Sequence, residues 1–253
     1  MSFELLWDID CRERRPRRSV GGVDKAERGL LVMISTIIFD AFDTLFKVEK
    51  GASAKSIIRN IVLDGNNVEE KLFSEEWKAF YKERTAATAE FMTERDIFIS
   101  LIRMFYDRYN VDRNAEEDAD SVLSAAFERK AFDEVAEVIS ELRKKYGVFI
   151  GSNTDNDVLA AVMAKNEISV DKVYTSENLG CYKPNPEFFI KILEENGLKA
   201  ENVMFIGDSL SDDILGPKAV GIKTVLIDRE GSGSHTEADY VIGNLRELVD
   251  ILL

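Results

Sequence analysis

At 253 residues, 45% hydrophobic and 32% charged, the chain has the composition of one large globular unit or of a domain carrying an insert. A formal net charge of -14 and a pI near 4.7 argue against a binder of nucleic-acid phosphates, which needs a basic surface. No apolar run reaches the ~18 residues of a transmembrane helix, and the two cysteines, Cys11 and Cys181, are too few for a disulfide framework or a zinc site.

Residues 1–32 set Arg12, Arg14, Arg15, Arg17 and Arg18 around Pro16, with Gly21-Gly22 after them. Glu4, Asp8, Asp10 and Glu13 dilute the basic charge, and no signal-peptide apolar core is present. The segment is expected to be a disordered extension outside the core, which would then begin at Met33.

Ile37-Ile38-Phe39 reads as a buried strand that stops on an acid, Asp40. In an open α/β sheet, ligands bind just outside the carboxyl ends of the strands. A carboxylate there can attack an electrophile or hold a metal. Taken alone, the same aspartate fits a turn or helix cap equally well.

Residues 50–129 show no clear strand. Helical spacing of apolar residues predicts helices over 54–63, 69–87, 96–109 and 115–126, carried by residues such as Ile58, Trp77, Ile102 and Phe105. From 132 a βα alternation begins. The pattern predicts an amphipathic helix over 132–146 with Gly147 as its C-cap, a strand 148–150 running into Gly151-Ser152-Asn153, and a helix over 157–165. A strand 172–175, a helix 187–196 behind Lys183-Pro184-Asn185-Pro186, and a strand 203–206 ending at Gly207-Asp208 come next. A helix from about Asp212, strands 224–227 and 240–242, and a closing helix 245–252 complete the chain. The only histidine, His235, falls in a Gly/Ser loop and is expected to be solvated.

The expected fold is therefore α/β. A Rossmann-like parallel sheet forms the core, from 33–49 and 130–253, and a helical domain, 50–129, is inserted after the first strand. Polar residues stand wherever a predicted strand ends: Asp40, then Ser152 and Asn153, then Asp208 and Ser209. Parallel strands bring such ends to one edge of the sheet, and Lys183 sits in a proline-stiffened loop that can reach it. A nucleophile, hydrogen-bond donors, a cation and further carboxylates are what a phosphoryl centre with a divalent metal needs.

With these residues in place, the chain resembles the haloacid dehalogenase-like (HAD) hydrolase superfamily, in the branch with a helical cap after the first strand. Four motifs carry the resemblance, in the family's order: Asp40-Ala41-Phe42-Asp43-Thr44, Ser152-Asn153, Lys183-Pro184, and Gly207-Asp208-Ser209 with Asp212 and Asp213. The resemblance implies that Asp40 is the nucleophile, forming an aspartyl-phosphate or aspartyl-ester. It implies that Ser152, with Asn153 beside it, donates to the transferred group and that Lys183 pairs with the nucleophile and the substrate charge. It also implies Mg²⁺ held by Asp40, the Phe42 backbone carbonyl, Asp208, and Asp213 or its neighbour Asp212.

One position departs from the family's phosphatases. They carry a proton-donating aspartate two residues after the nucleophile, where this chain has Phe42. The haloacid dehalogenases also carry an aromatic residue there, but they lack the metal-binding aspartate of the last motif, which this chain keeps as Asp208. The expectation is a Mg²⁺-dependent hydrolase of small phosphorylated molecules, without nucleic-acid or membrane partners, in the reducing cytoplasm that two cysteines suit. A metal-free 2-haloacid dehalogenase and a silent HAD-fold binding protein are the alternatives. Lys78 and Arg84 are candidate anion contacts on the insert, weighed against the more ordinary reading of solvated surface charges. No motif fixes the substrate or an oligomeric state.

Overall fold

Successive residues of a strand face opposite sides of its sheet, so the unbroken run Ile37-Ile38-Phe39 demands packing on both faces. The computed structural model, which describes residues 33–48, 53–63, 69–86, 89–231 and 237–253, supplies it. Ile37 and Phe39 enter one buried cluster and Ile38 the other. The same alternation sends Val148, Ile150, Met204 and Ile206 to the first face and Phe149 and Phe205 to the second.

Among the described residues, six strands form the sheet: β1 (Thr36–Phe39), β2 (Gly147–Ser152), β3 (Lys172–Thr175), β4 (Val203–Gly207), β5 (Lys223–Ile227) and β6 (Tyr240–Ile242). Their order is β3-β2-β1-β4-β5-β6 and every pairing is parallel. Parallel sheets are covered on both faces, and this one is.

Of the helices described between β1 and β2, the first four are α1 (Ala54–Leu63), α2 (Glu70–Arg84), α3 (Glu94–Tyr109) and α4 (Ala115–Ala126). They share a buried cluster of their own, which includes Ile58, Phe73, Trp77, Ile102, Phe105 and Leu123. Phe73 stacks on Phe105 with ring centres 4.5 Å apart. The N-cap residues explain where two of the helices start. Thr93 accepts from the Asp96 N–H, and Asn114 accepts from those of Glu116 and Glu117.

α5 (Val135–Leu142) follows the insert and still precedes β2, and after β2 come α6 (Asn156–Lys165), α7 (Ser176–Leu179), α8 (Pro186–Asn196), α9 (Gly216–Lys218) and α10 (Arg246–Leu252). Helices α5, α6 and α10 cover the first face, and α8 covers the second through Phe188, Phe189 and Ile192. Phe189 meets Phe205 edge-on at 5.4 Å, both fully buried. Trimming either ring to alanine would cost about 3–5 kcal/mol in lost burial and a residual cavity.

Two expectations are corrected. The helix expected over 132–146 contracts to α5, Val135–Leu142, and Gly147 is the first residue of β2 rather than a C-cap. Arg143-Lys144-Lys145 offers no apolar side chain to continue the buried stripe, so the chain winds on as turns. The Tyr146 N–H donates to Leu142 O at 2.9 Å, and the Gly147 N–H then joins Ser35 O at 2.9 Å at the sheet. The helix expected from Asp212 begins earlier, as a wide π-helical turn over Leu210–Leu215 that runs into α9. Residues 1–32 and His235 lie outside the described residues. No helix among the described residues is long and apolar enough to cross a membrane.

Candidate active site

Register brings the polar strand ends together. Phe39 is level with Ile150 on one side and Ile206 on the other. Asp40, Ser152 and Asp208 therefore leave the sheet at one edge. Strands β2 and β3 lie to one side of β1 and β4 to β6 to the other, so β1 flanks the point where the strand order reverses, where such sheets open a crevice. The Asp40 N–H still donates to Ile206 O at 2.8 Å, which fixes the start of its side chain.

Lys183 is the hub. Its ammonium donates to Asp40 Oδ1 at 2.7 Å, to Asp213 Oδ1 at 2.7 Å and to Gly151 O at 3.0 Å. An ammonium has three N–H groups, so all are used, and the side chain is only 2% exposed. Burial by itself would lower the lysine pKa, but the Asp213 and Asp40 carboxylates outweigh it and hold the group well above the ordinary range. Ser152 donates its hydroxyl to the same Asp40 Oδ1 at 3.2 Å.

Asn153 does not touch Asp40. Its amide clasps the backbone of Lys183, accepting from the lysine N–H at 2.8 Å and donating to its carbonyl at 3.0 Å. It thereby positions the loop that delivers the ammonium. It also donates to Asp212 Oδ2 at 3.4 Å.

Of the two adjacent acids, Asp213 joins the cluster. Carboxylate oxygens of Asp40, Asp208 and Asp213 all lie within 4.8 Å of one another. Gly207 makes room for this, since a Cβ on it would stand 2.3 Å from Asp213 Cγ. Asp213 Oδ2 is capped by the Ser209 N–H at 3.0 Å. Burial pushes the Asp213 carboxyl up to about 7 against the pull of Lys183. Asp208 stands at the exposed mouth. Loss of water around its carboxyl, then the charges on Asp40 and Asp213, push it up to about 8. Three carboxylates against one ammonium leave excess negative charge, and two of the acids resist ionising. Oxygen donors so crowded suit a small hard dication, which keeps waters and takes a few carboxylates.

Phe42 puts its ring where the chain passes from sheet to helices. It packs against both the sheet cluster and the helical cluster, 6.5 Å from Phe46. The Arg129 guanidinium lies 4.0 Å from its ring centre. Asp43 adopts a left-handed φ of 60°, tolerable for aspartate, and its Oδ1 accepts from the Val48 N–H at 3.0 Å.

The helices grip the same edge. Asp155, just past Ser152-Asn153, accepts the Glu94 and Arg95 N–H groups at 2.8 and 2.9 Å. Tyr182, next to Lys183, donates to Met92 O at 2.9 Å and stacks on Phe91 at 5.5 Å. Burial, and then the Asp155 charge, push the Glu94 carboxyl up to about 7. Asp155, Tyr182, Glu94 and Arg129 were not foreseen from sequence. Only the first two had a signal, their closeness in the chain to Ser152 and Lys183. Of the candidate anion contacts, Lys78 is exposed on α2 and the Arg84 guanidinium lies 5.1 Å over Phe80 of its own helix.

Comparison with known proteins points to one family. A glyceraldehyde 3-phosphate phosphatase from Methanopyrus kandleri is 27% identical over 238 residues, covering 87% of this chain and 97% of its own. The (S)-2-haloacid dehalogenase 4A of Burkholderia cepacia is 27% identical over 139 residues, 53% of this chain and 60% of its own. The solved L-2-haloacid dehalogenase RSc1362 shares the fold at a TM-score of 0.68, with 20% identity over 87% of this chain and 98% of that one. The profile of the haloacid dehalogenase-like hydrolases matches residues 34–221, and the chain, a hydrolase, belongs to that family.

Proposed function

We propose that the chain is a Mg²⁺-dependent phosphohydrolase acting on small phosphate esters through an aspartyl-phosphate on Asp40. The observation that carries this reading is the carboxylate cluster of Asp40, Asp208 and Asp213 around the buried Lys183. A metal-free dehalogenase has no use for three mutually repelling acids. The phosphatase relative also matches along nearly its whole length, 97%, whereas the dehalogenase matches over 60% of its own.

Asp40, Asp208 and Asp213, with the Phe42 carbonyl, would hold Mg²⁺, whose charge would neutralise phosphoryl oxygens. An Asp40 carboxylate oxygen attacks phosphorus, the ester oxygen leaves with its electron pair, and water then cleaves the acyl phosphate. Lys183 and Ser152 aim the Asp40 carboxylate, and Asn153 holds the Lys183 loop. In this reading 33–49 and 130–253 form the catalytic core, and the helices of 50–129 form a cap gripped by Asp155 and Tyr182. The cytoplasm suits a chain whose Cys181 is free and buried.

Two results test the reading. Mg²⁺ should raise the melting temperature of the wild type and much less that of Asp208→Ala; an equal effect on both would sink the metal assignment. Phe42 cannot transfer a proton, and a general acid is worth ~10²–10⁴-fold. The wild type should therefore hydrolyse p-nitrophenyl phosphate, whose leaving group hardly needs protonation, far better than alkyl phosphates. Phe42→Asp should narrow the gap. Halide release from 2-chloropropionate that ignores Mg²⁺, with no phosphatase activity, would establish the dehalogenase instead.

A further inference from the structure

Arg129 carries five N–H donors and uses none of them. Its guanidinium rests over the Phe42 ring, and among the described residues it makes no hydrogen bond or ion pair. Arg95, Arg113, Arg143 and Arg229, by contrast, each hold a carboxylate. Burial holds the Arg129 pKa below its ordinary value, with Glu94 and Asp43 pulling the other way. Neither acid is in ion-pair contact with it. Asp43 is engaged by the Val48 N–H, and Glu94 faces the Tyr81 hydroxyl at 3.5 Å. Arg129 is half-buried, and a partly desolvated cation whose N–H groups have no partner gains from an anion that reaches it.

Its position says where the anion would come from. Phe42 is two residues past Asp40, and the Arg129 guanidinium lies 4.0 Å from its ring centre. The guanidinium therefore stands beside the catalytic edge, on the wall built by Phe42 and the insert. Lys183 cannot serve a second anion, because its three N–H groups are taken. An unspent guanidinium fork matches a carboxylate or phosphate with two parallel bonds.

We propose that Arg129 receives an anionic group on the leaving-group side of the substrate, so that the preferred substrates are small phosphate esters bearing a second negative charge, a carboxylate or a second phosphate. This rests on the phosphohydrolase reading and adds a substrate class to it.

The test compares three ligands on one three-carbon skeleton: glycerol 3-phosphate, 3-phosphoglycerate and glycerol 1,3-bisphosphate. With Mg²⁺, the wild type should favour one or both charged esters in kcat/KM. Arg129→Gln should lower kcat/KM for the favoured ester by about tenfold to a hundredfold, the range for a hydrogen bond to a charged group, chiefly through KM. It should leave glycerol 3-phosphate and p-nitrophenyl phosphate nearly unchanged. Which charged ester responds decides between carboxylate and phosphate. Arg129→Lys, which keeps the charge and the stem but not the fork, should lie between, and it serves if Gln loosens the contact with Phe42. Equal losses on all substrates, or a preference that survives both variants, would overturn the subsite. If no phosphate ester is turned over, calorimetric binding of the same ligands to the same proteins replaces kinetics. Charge-selective binding lost in Arg129→Gln would then keep the subsite and sink the phosphohydrolase reading, and unselective or absent binding would sink both.

Discussion

Asp40→Asn is expected to abolish hydrolysis of aryl and alkyl phosphates alike, by at least 10⁴-fold and on the order of 10⁶-fold if the covalent route is the only one. The amide oxygen is close in size to the carboxylate it replaces but is a poor nucleophile. It can still accept from Lys183 and Ser152, which reach Asp40 Oδ1 at 2.7 and 3.2 Å. Lys183 also keeps its second partner, Asp213. The fold should therefore survive, and removing one of three crowded charges should leave the metal-free protein at least as stable as the wild type. Steady-state turnover of p-nitrophenyl phosphate, with thermal melts on the same samples, checks both halves. Activity within tenfold of wild type in a folded Asp40→Asn protein would remove Asp40 from the nucleophile's role.

Asp40, Ser152 and Asp208 stand out in the sequence because each stands at the end of a strand. Apolar runs such as Val203-Met204-Phe205-Ile206 have one reading in a parallel sheet, buried on both faces, and the acid or glycine that stops them marks the edge. The helices of the insert are legible for a different reason, the spacing of large side chains such as Ile97, Leu101, Ile102 and Phe105 over one face of α3. What the sequence hides is contact across long separations. Lys183 meets Asp40 over 143 positions, and Asp155 meets Glu94 over 61. Nothing local in Arg129 shows that it will lie on Phe42. The π-helical turn over Leu210–Leu215 is hidden as well, because its residues fit an ordinary helix. Its place becomes intelligible once Asp213 has to pass within 2.3 Å of a Cβ that Gly207 lacks.

Lys183→Met should be the most destabilising single change at the site. Methionine is unbranched and fills nearly the same tunnel, so the effect isolates the charge. Asp40 and Asp213, with side chains 10% and 2% exposed, would lose the ammonium they share. Removing one partner from a buried ion pair typically costs about 3–5 kcal/mol, and at about 2–4 °C per kcal/mol for a chain this size the melting temperature should fall by roughly 6–20 °C. The loss should depend on pH in a set direction. Asp213 already titrates near 7, above its ordinary 3.8, and Lys183 holds it down from going higher. Without Lys183 the native acid binds its proton more tightly still, while the unfolded acid does not. Native protein then holds more protons than unfolded protein between about pH 4 and the raised native value. Stability of the variant should therefore rise as pH falls through that window, and its deficit should be largest above pH 8 and smallest near pH 5. Mg²⁺ at pH 8 should restore part of it, because a dication can answer the charge the ammonium leaves behind. Melting curves of wild type and Lys183→Met at pH 5 and pH 8, with and without Mg²⁺, provide the measurement. A variant that melts within 2 °C of wild type at pH 8 without metal would show that Lys183 does not hold the two carboxylates together.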